Sequence, residues 1–337
     1  MSHKSIEKLA VVIPNFNGAD FIEEAIDSLL QQDMSADIII VENGSRDNSL
    51  DILKSYNDKI TILQNEKNLG FAGGVNVGIS YTIKHGYDAV ALFNNDAVAD
   101  SEWLSELVNS IQDDIKIGIA TCCIKLKDGS ILDSTGEFYT TWGLPYPRGR
   151  GKSVDSYHEK EFVFGASGGA SLYKTALFRD IGLFDEKFFA YYEDTDISFR
   201  AQLAGWKVVY NPKSFVTHHQ GETSKKMVPG FTVYQTFKNL PMLFWKNTPR
   251  NLLLPIGIRF FIAYNLILLK ALVSGKAWPA VKGVWYSFIY IPHTVHQRWI
   301  IQRGKSVSTN YINSVIVHDL PPNQTGLRKF RKIFTGK

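Results

Sequence analysis

Short, wholly apolar runs alternate with stretches of helical period over the first hundred residues. Residues 9–14 (LAVVIP) are apolar up to Pro14, and Asn15, Asn17 and Gly18 follow, which predicts a buried strand entering a loop. Residues 20–32 carry apolar side chains at 21, 22, 25, 26, 29 and 30, a helical period. A second apolar run at 38–41 ends in Glu42-Asn43-Gly44-Ser45-Arg46-Asp47, a helical stretch follows at 49–56, and 60–64 reads as a third strand. This alternation predicts a parallel sheet with crossover helices. Ligands in such sheets bind beyond the carboxyl ends of the strands, where Asn15, Glu42, Asn43 and Asp47 fall.

Residues 68–78 (NLGFAGGVNVG) open a helix with four glycines. Two uses fit: backbone N–H groups near Asn68, Gly70, Gly73 and Asn76 approach a diphosphate, or the helix packs tightly on the sheet. The GxGxxG dinucleotide spacing and a GKS/T sequence are both absent. Another apolar run, 89–93 (AVALF), leads into Asn94-Asn95-Asp96, and Asp96 offers hard oxygen to Mg²⁺ or Mn²⁺. Residues 117–126 predict a strand and 127–130 a hairpin turn. Residues 142–152 (WGLPYPRGRGK) predict a solvated loop, with contact of Arg148, Arg150 and Lys152 to a phosphorylated ligand as the alternative. Small residues at 164–173 suit a close approach of ligand or backbone.

The densest chemistry lies in 182–219. An aromatic run (Phe188, Phe189, Tyr191, Tyr192) precedes Glu193, Asp194 and Asp196, and a helical pattern with Ile197, Ala201 and Ala204 stops at Gly205. Carboxylates this close repel one another and suggest a general base or a metal site. The alternative is an acidic cluster complementing the helix dipole, with Asp196 and Arg200 as an i,i+4 pair.

Charge divides the chain. Residues 1–224 hold 20 Lys and Arg against 32 Asp and Glu, whereas 225–337 hold 17 against Asp319 alone. A basic C-terminal third implies an anionic partner. Its apolar stretches, 251–273 and 277–291, are interrupted by Arg259, Lys270 and Lys282, and its longest run without Lys, Arg, Asp or Glu, 283–297, falls short of the ~18 residues of a spanning helix. Amphipathic helices lying in a membrane interface are expected, anchored by Trp245, Trp278, Trp285 and Trp299. Packing on the core or a homo-oligomeric contact would also use such faces. The aromatics cluster with aliphatics, unlike a basic groove for nucleic acid, so no nucleic-acid partner is expected. Cys122 and Cys123 lie in an apolar run and are expected as free thiols. With no apolar leader at the N-terminus, a cytoplasmic location is expected.

Taken together, Pro14-Asn15-Phe16-Asn17-Gly18, Glu42-Asn43-Gly44-Ser45, Asn68-Leu69-Gly70-Phe71-Ala72-Gly73-Gly74, Asn94-Asn95-Asp96 and Tyr192-Glu193-Asp194-Thr195-Asp196 resemble, in order and spacing, the family 2 inverting glycosyltransferases. The similarity is greatest to the rhamnosyltransferase-type branch and covers roughly residues 8–222. It implies a GT-A fold, a nucleotide-sugar donor and Mg²⁺ or Mn²⁺. It further implies that Glu42, where the family usually has Asp, reads the nucleobase. Asp96 would bind the metal, with Asn95 where many members have a second Asp, and Asp194 would be the general base. His218 stands at a metal-ligating position, with His219 as the neighbouring candidate. Glu193 and Asp196 would organise the helix start. Residues 1–224 then form the catalytic domain and 225–337 a helical extension for membrane or subunit contact. The expected activity is transfer of a sugar, first L-rhamnose from dTDP-rhamnose, onto a polyprenyl-diphosphate-linked glycan at the inner membrane face. A UDP-hexose or galactofuranose donor, or a non-catalytic basic binding protein, are the alternatives.

Overall fold

The computed structural model describes residues 6–112, 114–219 and 228–335. The expected domain boundary at 224/225 lies outside the described residues.

Strand β1 (Leu9–Asn15), helix α1 (Ile22–Leu30), β2 (Asp37–Glu42), α2 (Ser49–Ser55), β3 (Thr61–Gln64), α3 (Gly70–Lys84) and β4 (Ala89–Phe93) follow the predicted alternation. They form the parallel order β4-β1-β2-β3. Alternate residues of β1 serve two layers. Leu9, Val11 and Ile13 pack with α1. Ala10 and Val12 pack against α3. At Gly78 a Cβ would lie 2.4 Å from Val12 Cγ1, so the absence of a side chain lets α3 sit directly on β1.

Beyond β4 the sheet turns mixed, which the alternation did not predict. The chain continues through β5 (Ala97–Ala99), α4 (Trp103–Ile111), β6 (Ile117–Leu126), β7 (Leu132–Ser134), β8 (Glu137–Tyr139), β9 (Pro145–Pro147), β10 (Glu161–Val163), β11 (Ala170–Lys174), α5 (Thr175–Ile181), α6 (Glu193–Ala204) and β12 (Lys207–His218). The sheet order is β10-β12-β6-β11-β4-β1-β2-β3, with β11 antiparallel to both neighbours. Part of the predicted 142–152 loop is regular, since β9 pairs with β8. Arg148 is buried there, paired with Glu161 and stacked over Tyr157, so it is structural and not a solvated phosphate ligand. Both cysteines are free and buried.

Helices α7 (Phe231–Asn247), α8 (Arg250–Val273), α9 (Ala277–Ile289), α10 (Ile291–Arg303), α11 (Thr309–Val315) and α12 (Thr325–Thr335) complete the described chain. They share a core with the sheet region: Leu240, Leu243, Phe244 and Phe260 pack with Tyr139, Phe164, Phe188 and Phe199. On the other side, α8 to α10 leave apolar stripes uncovered. Leu254, Ile258 and Phe261 on α8, Trp278, Val281, Trp285 and Phe288 on α9, and Ile291, Val295 and Trp299 on α10 are exposed. Helix α8 covers the apolar stretch expected at 251–273 as one helix of 24 residues. Among the described residues it is the one helix long and apolar enough to cross a bilayer, by length and composition alone, and little of it is buried. Counting only charge-free runs missed it, because Arg259 and Lys270 interrupt the run but not the helix.

Candidate active site

The carboxyl ends of β1, β2 and β4 open onto a cavity of about 610 Å³. Its lining includes Pro14, Asn43, Asn68, Gly70, Asn95, Asp96, Glu193, Asp194 and His218. Six stretches spread over about two hundred residues of sequence therefore meet at one sheet edge. Asn15, Asn17, Glu42, Gly73, Asn76 and Asp196 are not in its lining. Glu42 is buried behind the wall, where Oε2 accepts from Asn15 Nδ2 (2.7 Å) and Oε1 from Ser45 N (2.7 Å). Asn15 Oδ1 in turn accepts from Asn95 Nδ2 at 2.8 Å, so one hydrogen-bonded row crosses the ends of β2, β1 and β4.

The glycine stretch is used mainly for packing. Only Gly70 among its glycines lines the cavity, at φ +75, and its N–H donates to Asn68 Oδ1 at 2.7 Å. Asn43 ties this turn to β2, accepting from Leu69 N and donating to Gly70 O, both at 3.0 Å. A Cβ on Gly73 would meet Leu69 at 2.6 Å, and Asn76 holds Phe184 through both amide atoms.

Asp96 and His218 converge from β4's exit and the end of β12. His218 Nε2 lies 3.1 Å from Asp96 Oδ1, and Nδ1 lies 2.8 Å from Asp133 Oδ2. Burial opposes the charged imidazole, but the hydrogen bonds to Asp133 and Asp96 outweigh it and lift its pKa to about 9. Strand alternation sends the next residue elsewhere: His219 packs on Phe21 and points Nε2 at Glu24, 3.4 Å away. Among the described residues no group of three or more His, Cys, Asp or Glu surrounds one point. A cation here would take two protein ligands and draw the rest from substrate and water, the habit of Mg²⁺ and Mn²⁺ with phosphates.

Asp194 stands in the first turn of α6 and lines the cavity. Its Oδ1 accepts from Thr195 N at 2.7 Å and Oδ2 from Gly168 N at 3.4 Å. Burial raises its pKa against these backbone donors. Glu193 is more enclosed: Oε2 is buried with no hydrogen-bond partner among the described residues, and burial, then the charge of Asp194, lifts its pKa to about 8. Asp196 faces the protein, bound by Arg200 Nε (2.9 Å), Asn247 Nδ2 (2.8 Å) and Lys246 Nζ (3.0 Å).

The backbone before α6 is strained. Phe189, at φ 65 and ψ −61, centres a γ-turn of the rare hand, closed by Ala190 N to Phe188 O at 2.8 Å. Tyr191 (φ 69) and Tyr192 (φ 72) follow, each a costly conformation for a bulky residue, about 1–3 kcal/mol. Sequence reasoning missed Asp133, which holds His218, and Glu137, a buried carboxyl whose pKa is raised by burial and then by Asp194. It also missed the side chains of α7 that hold the strained loop. Asp133 follows a hairpin turn and carries no motif, so its role is visible only once β12 lies beside β6.

This site and sheet define a nucleotide-diphospho-sugar transferase architecture of the GT-A type. The chain belongs to glycosyl transferase family 2, whose model matches residues 10–182, and it is a glycosyltransferase. It is 25% identical over 239 residues to an N-acetylglucosaminyl-diphospho-decaprenol L-rhamnosyltransferase of Mycobacterium tuberculosis, covering 64% of this chain and 77% of that one. Solved structures share the fold. GalNAc-T7 with UDP, GalNAc and Mn²⁺ has a TM-score of 0.60 at 16% identity, over 86% of this chain and 57% of its own. S. aureus TarS residues 1–349 with UDP-GlcNAc has a TM-score of 0.54 at 18% identity, over 92% and 90%.

Proposed function

We propose that this protein transfers a sugar from a nucleotide-sugar to a lipid-linked glycan with inversion at the anomeric carbon. The observation that carries the reading is the meeting of Asp194 with the Asp96–His218 pair in one cavity. Asp194 acts as general base: a carboxylate with one oxygen held by Thr195 N takes the proton of the acceptor hydroxyl as that oxygen attacks the anomeric carbon. Burial raises its pKa above the ordinary carboxylate value, which makes it a stronger base. The bond to the nucleoside diphosphate breaks on the opposite face, so one displacement inverts the centre. Asp96 and His218 would hold Mg²⁺ or Mn²⁺, which when bound offsets charge on the leaving diphosphate. Asn43, Asn68, Gly70 and Asn95 shape the wall facing the donor, and Glu42 and Asn15 brace it from behind.

Rhamnose from dTDP-rhamnose is the first donor, supported by the rhamnosyltransferase relative; a UDP-hexose or galactofuranose donor is the second reading, supported by the UDP-bound fold neighbours. The acceptor is a polyprenyl-diphosphate-linked glycan, supported by that relative's decaprenol acceptor. The uncovered stripes of α8 to α10, with the basic C-terminal third, support a peripheral position on an anionic cytoplasmic membrane face. We assign residues 225–337 to that contact, with 1–224 as the catalytic domain. The test is turnover across a donor panel with Mg²⁺ or Mn²⁺ and N-acetylglucosaminyl-diphospho-prenol, for wild type and Asp194→Asn. Loss of turnover with donor binding retained is expected. Equal turnover in both would remove Asp194 from the chemistry.

A further inference from the structure

The three left-handed residues ahead of Asp194 need an external brace. No glycine lies between Gly182 and Gly205 to relieve them, and such dihedrals persist only where surrounding structure over-determines them. On one side Phe189 O accepts from Ala72 N of α3 at 3.2 Å. On the other stands α7. The buried amide of Asn239 donates to Phe188 O (3.1 Å), Ala190 O (3.0 Å) and Tyr191 O (2.8 Å). Its Oδ1 has no donor among the described residues, so the contacts made by Asn239 are those that hold the loop. Lys238 Nζ adds a bond to Phe188 O at 3.1 Å, and Thr236 Oγ1 meets Tyr192 OH at 3.3 Å. The far end of α7 grips the flanks of the same segment, Lys246 pairing with Asp185 and Asp196 and Asn247 with Asp196.

We propose that α7 belongs to the catalytic apparatus, with Asn239 as the positioning residue that sets the 188–192 backbone and so aims Asp194 at the acceptor. The matched family region ends at residue 182 and includes neither the loop nor α7. One planar amide reaching the carbonyls of Phe188, Ala190 and Tyr191, on either side of the Phe189 carbonyl that α3 takes, is a specific solution for this loop. The donor side of the cavity is built on β1, β2 and α3 and meets the loop through Ala72 N to Phe189 O.

The inference rests on Asp194 being the base, which Asp194→Asn tests separately. The variant is Asn239→Leu, of similar volume but without a donor, made in the full chain beside Tyr264→Phe. The latter loses a hydrogen bond from α8 to Phe237 O of α7 but touches nothing in the loop. Turnover is followed with dTDP-rhamnose, Mn²⁺ and N-acetylglucosaminyl-diphospho-prenol, and backbone amide hydrogen exchange is followed without ligands. Asn239→Leu is expected to lower kcat 10- to 100-fold with donor KM within twofold, and to speed exchange at 190–195 at least tenfold while α3 beyond Ala72, whose N–H bonds Phe189 O, is unchanged. Tyr264→Phe should do neither. Thr236→Val, a milder cut, should act in the same direction about threefold. On the Asp194→Asn background, Asn239→Leu should change the residual rate by less than twofold, because the group it aims is already gone. Wild-type exchange at 190–195 in Asn239→Leu, or a kcat loss matched by Tyr264→Phe at equal thermal stability, would overturn the proposal. Should turnover be undetectable even in wild type, the exchange measurement decides alone. Full activity in Asp194→Asn would instead sink the base assignment, whatever Asn239 does.

Discussion

His218 and Asp133 share a 2.8 Å contact that fixes which imidazole nitrogen faces the cavity. With Nδ1 committed to Asp133, Nε2 is the atom turned toward Asp96. A carboxylate behind a ligating histidine sets its tautomer and raises its basicity. Asp133→Asn keeps the shape and weakens that hold. The apparent affinity for Mn²⁺ is expected to fall about 10–100-fold, read by calorimetric titration of Mn²⁺ in the presence of UDP or dTDP. Unchanged affinity would place Asp133 with Arg150 alone, its other partner at 2.7 Å.

Glu193 makes stability fall as pH rises. Its folded pKa is about 8, raised first by burial and then by Asp194, against about 4.3 in an unfolded chain. Between those values the native state binds more protons than the unfolded one, so stability is lost as pH climbs through the folded pKa. Glu193→Gln removes the group that must ionise. Its Tm should gain on wild type by about 1–2 °C for each kcal/mol recovered when both are compared at pH 8, with the gain vanishing near pH 4. A Tm difference independent of pH would show that Glu193 does not titrate in this window.

Much of the parallel half of the sheet could be read directly from the sequence. The apolar runs at 9–14, 38–41 and 89–93 became β1, β2 and β4, because a strand buried on both faces needs little beyond composition to be recognised. The asparagines and Asp96 at their ends were found because parallel strands deliver their carboxyl ends to one edge. What stayed hidden depends on pairings distant in sequence. Antiparallel β11 enters between β4 and β6, and Asp133 reaches His218 across 85 residues. Glu42 carried a motif yet sits behind the wall, since a motif fixes position along the chain but not which way a carboxylate turns. Asn239 had no signal, lying in an apolar helix like many others.

Asp185 works in the opposite pH direction from Glu193. Burial opposes its charge, but the His293 hydrogen bond and the Lys246 charge prevail and hold its carboxyl far below the usual range. The native state therefore binds fewer protons than the unfolded state once pH drops below about 4, and the stabilisation is lost as pH falls further. Asp185→Asn removes one partner of the buried Lys246, which keeps Asp196 at 3.0 Å. A loss of about 3 kcal/mol at pH 7 is expected, shrinking below pH 4. Urea unfolding of both proteins at pH 7 and pH 3 measures it, and an equal loss at both would remove Asp185 from the acid response.

The uncovered stripes on α8, α9 and α10 should govern membrane attachment. Trp278 is 76% exposed, Leu254 73%, Phe261 69% and Trp285 64%, far more apolar surface than isolated surface residues require. Exposed Lys270, Lys276 and Lys282 flank them. An interfacial helix binds through both features, and its electrostatic part weakens as salt shortens the Debye length from ~10 Å at 0.1 M to ~3 Å at 1 M. Vesicles of phosphatidylglycerol and phosphatidylcholine should therefore pellet the protein at low salt and release most of it at 1 M salt. Phe261→Asp with Trp285→Ser should cut binding at least tenfold, leaving nucleotide binding intact. Helix α8 is also long enough to cross the bilayer, at ~1.5 Å per residue over 24 residues, and carbonate extraction separates the two arrangements. Release by carbonate supports helices lying in the interface. Retention would mean that α8 spans, and a double variant that binds as wild type would mean that these stripes meet another protein surface.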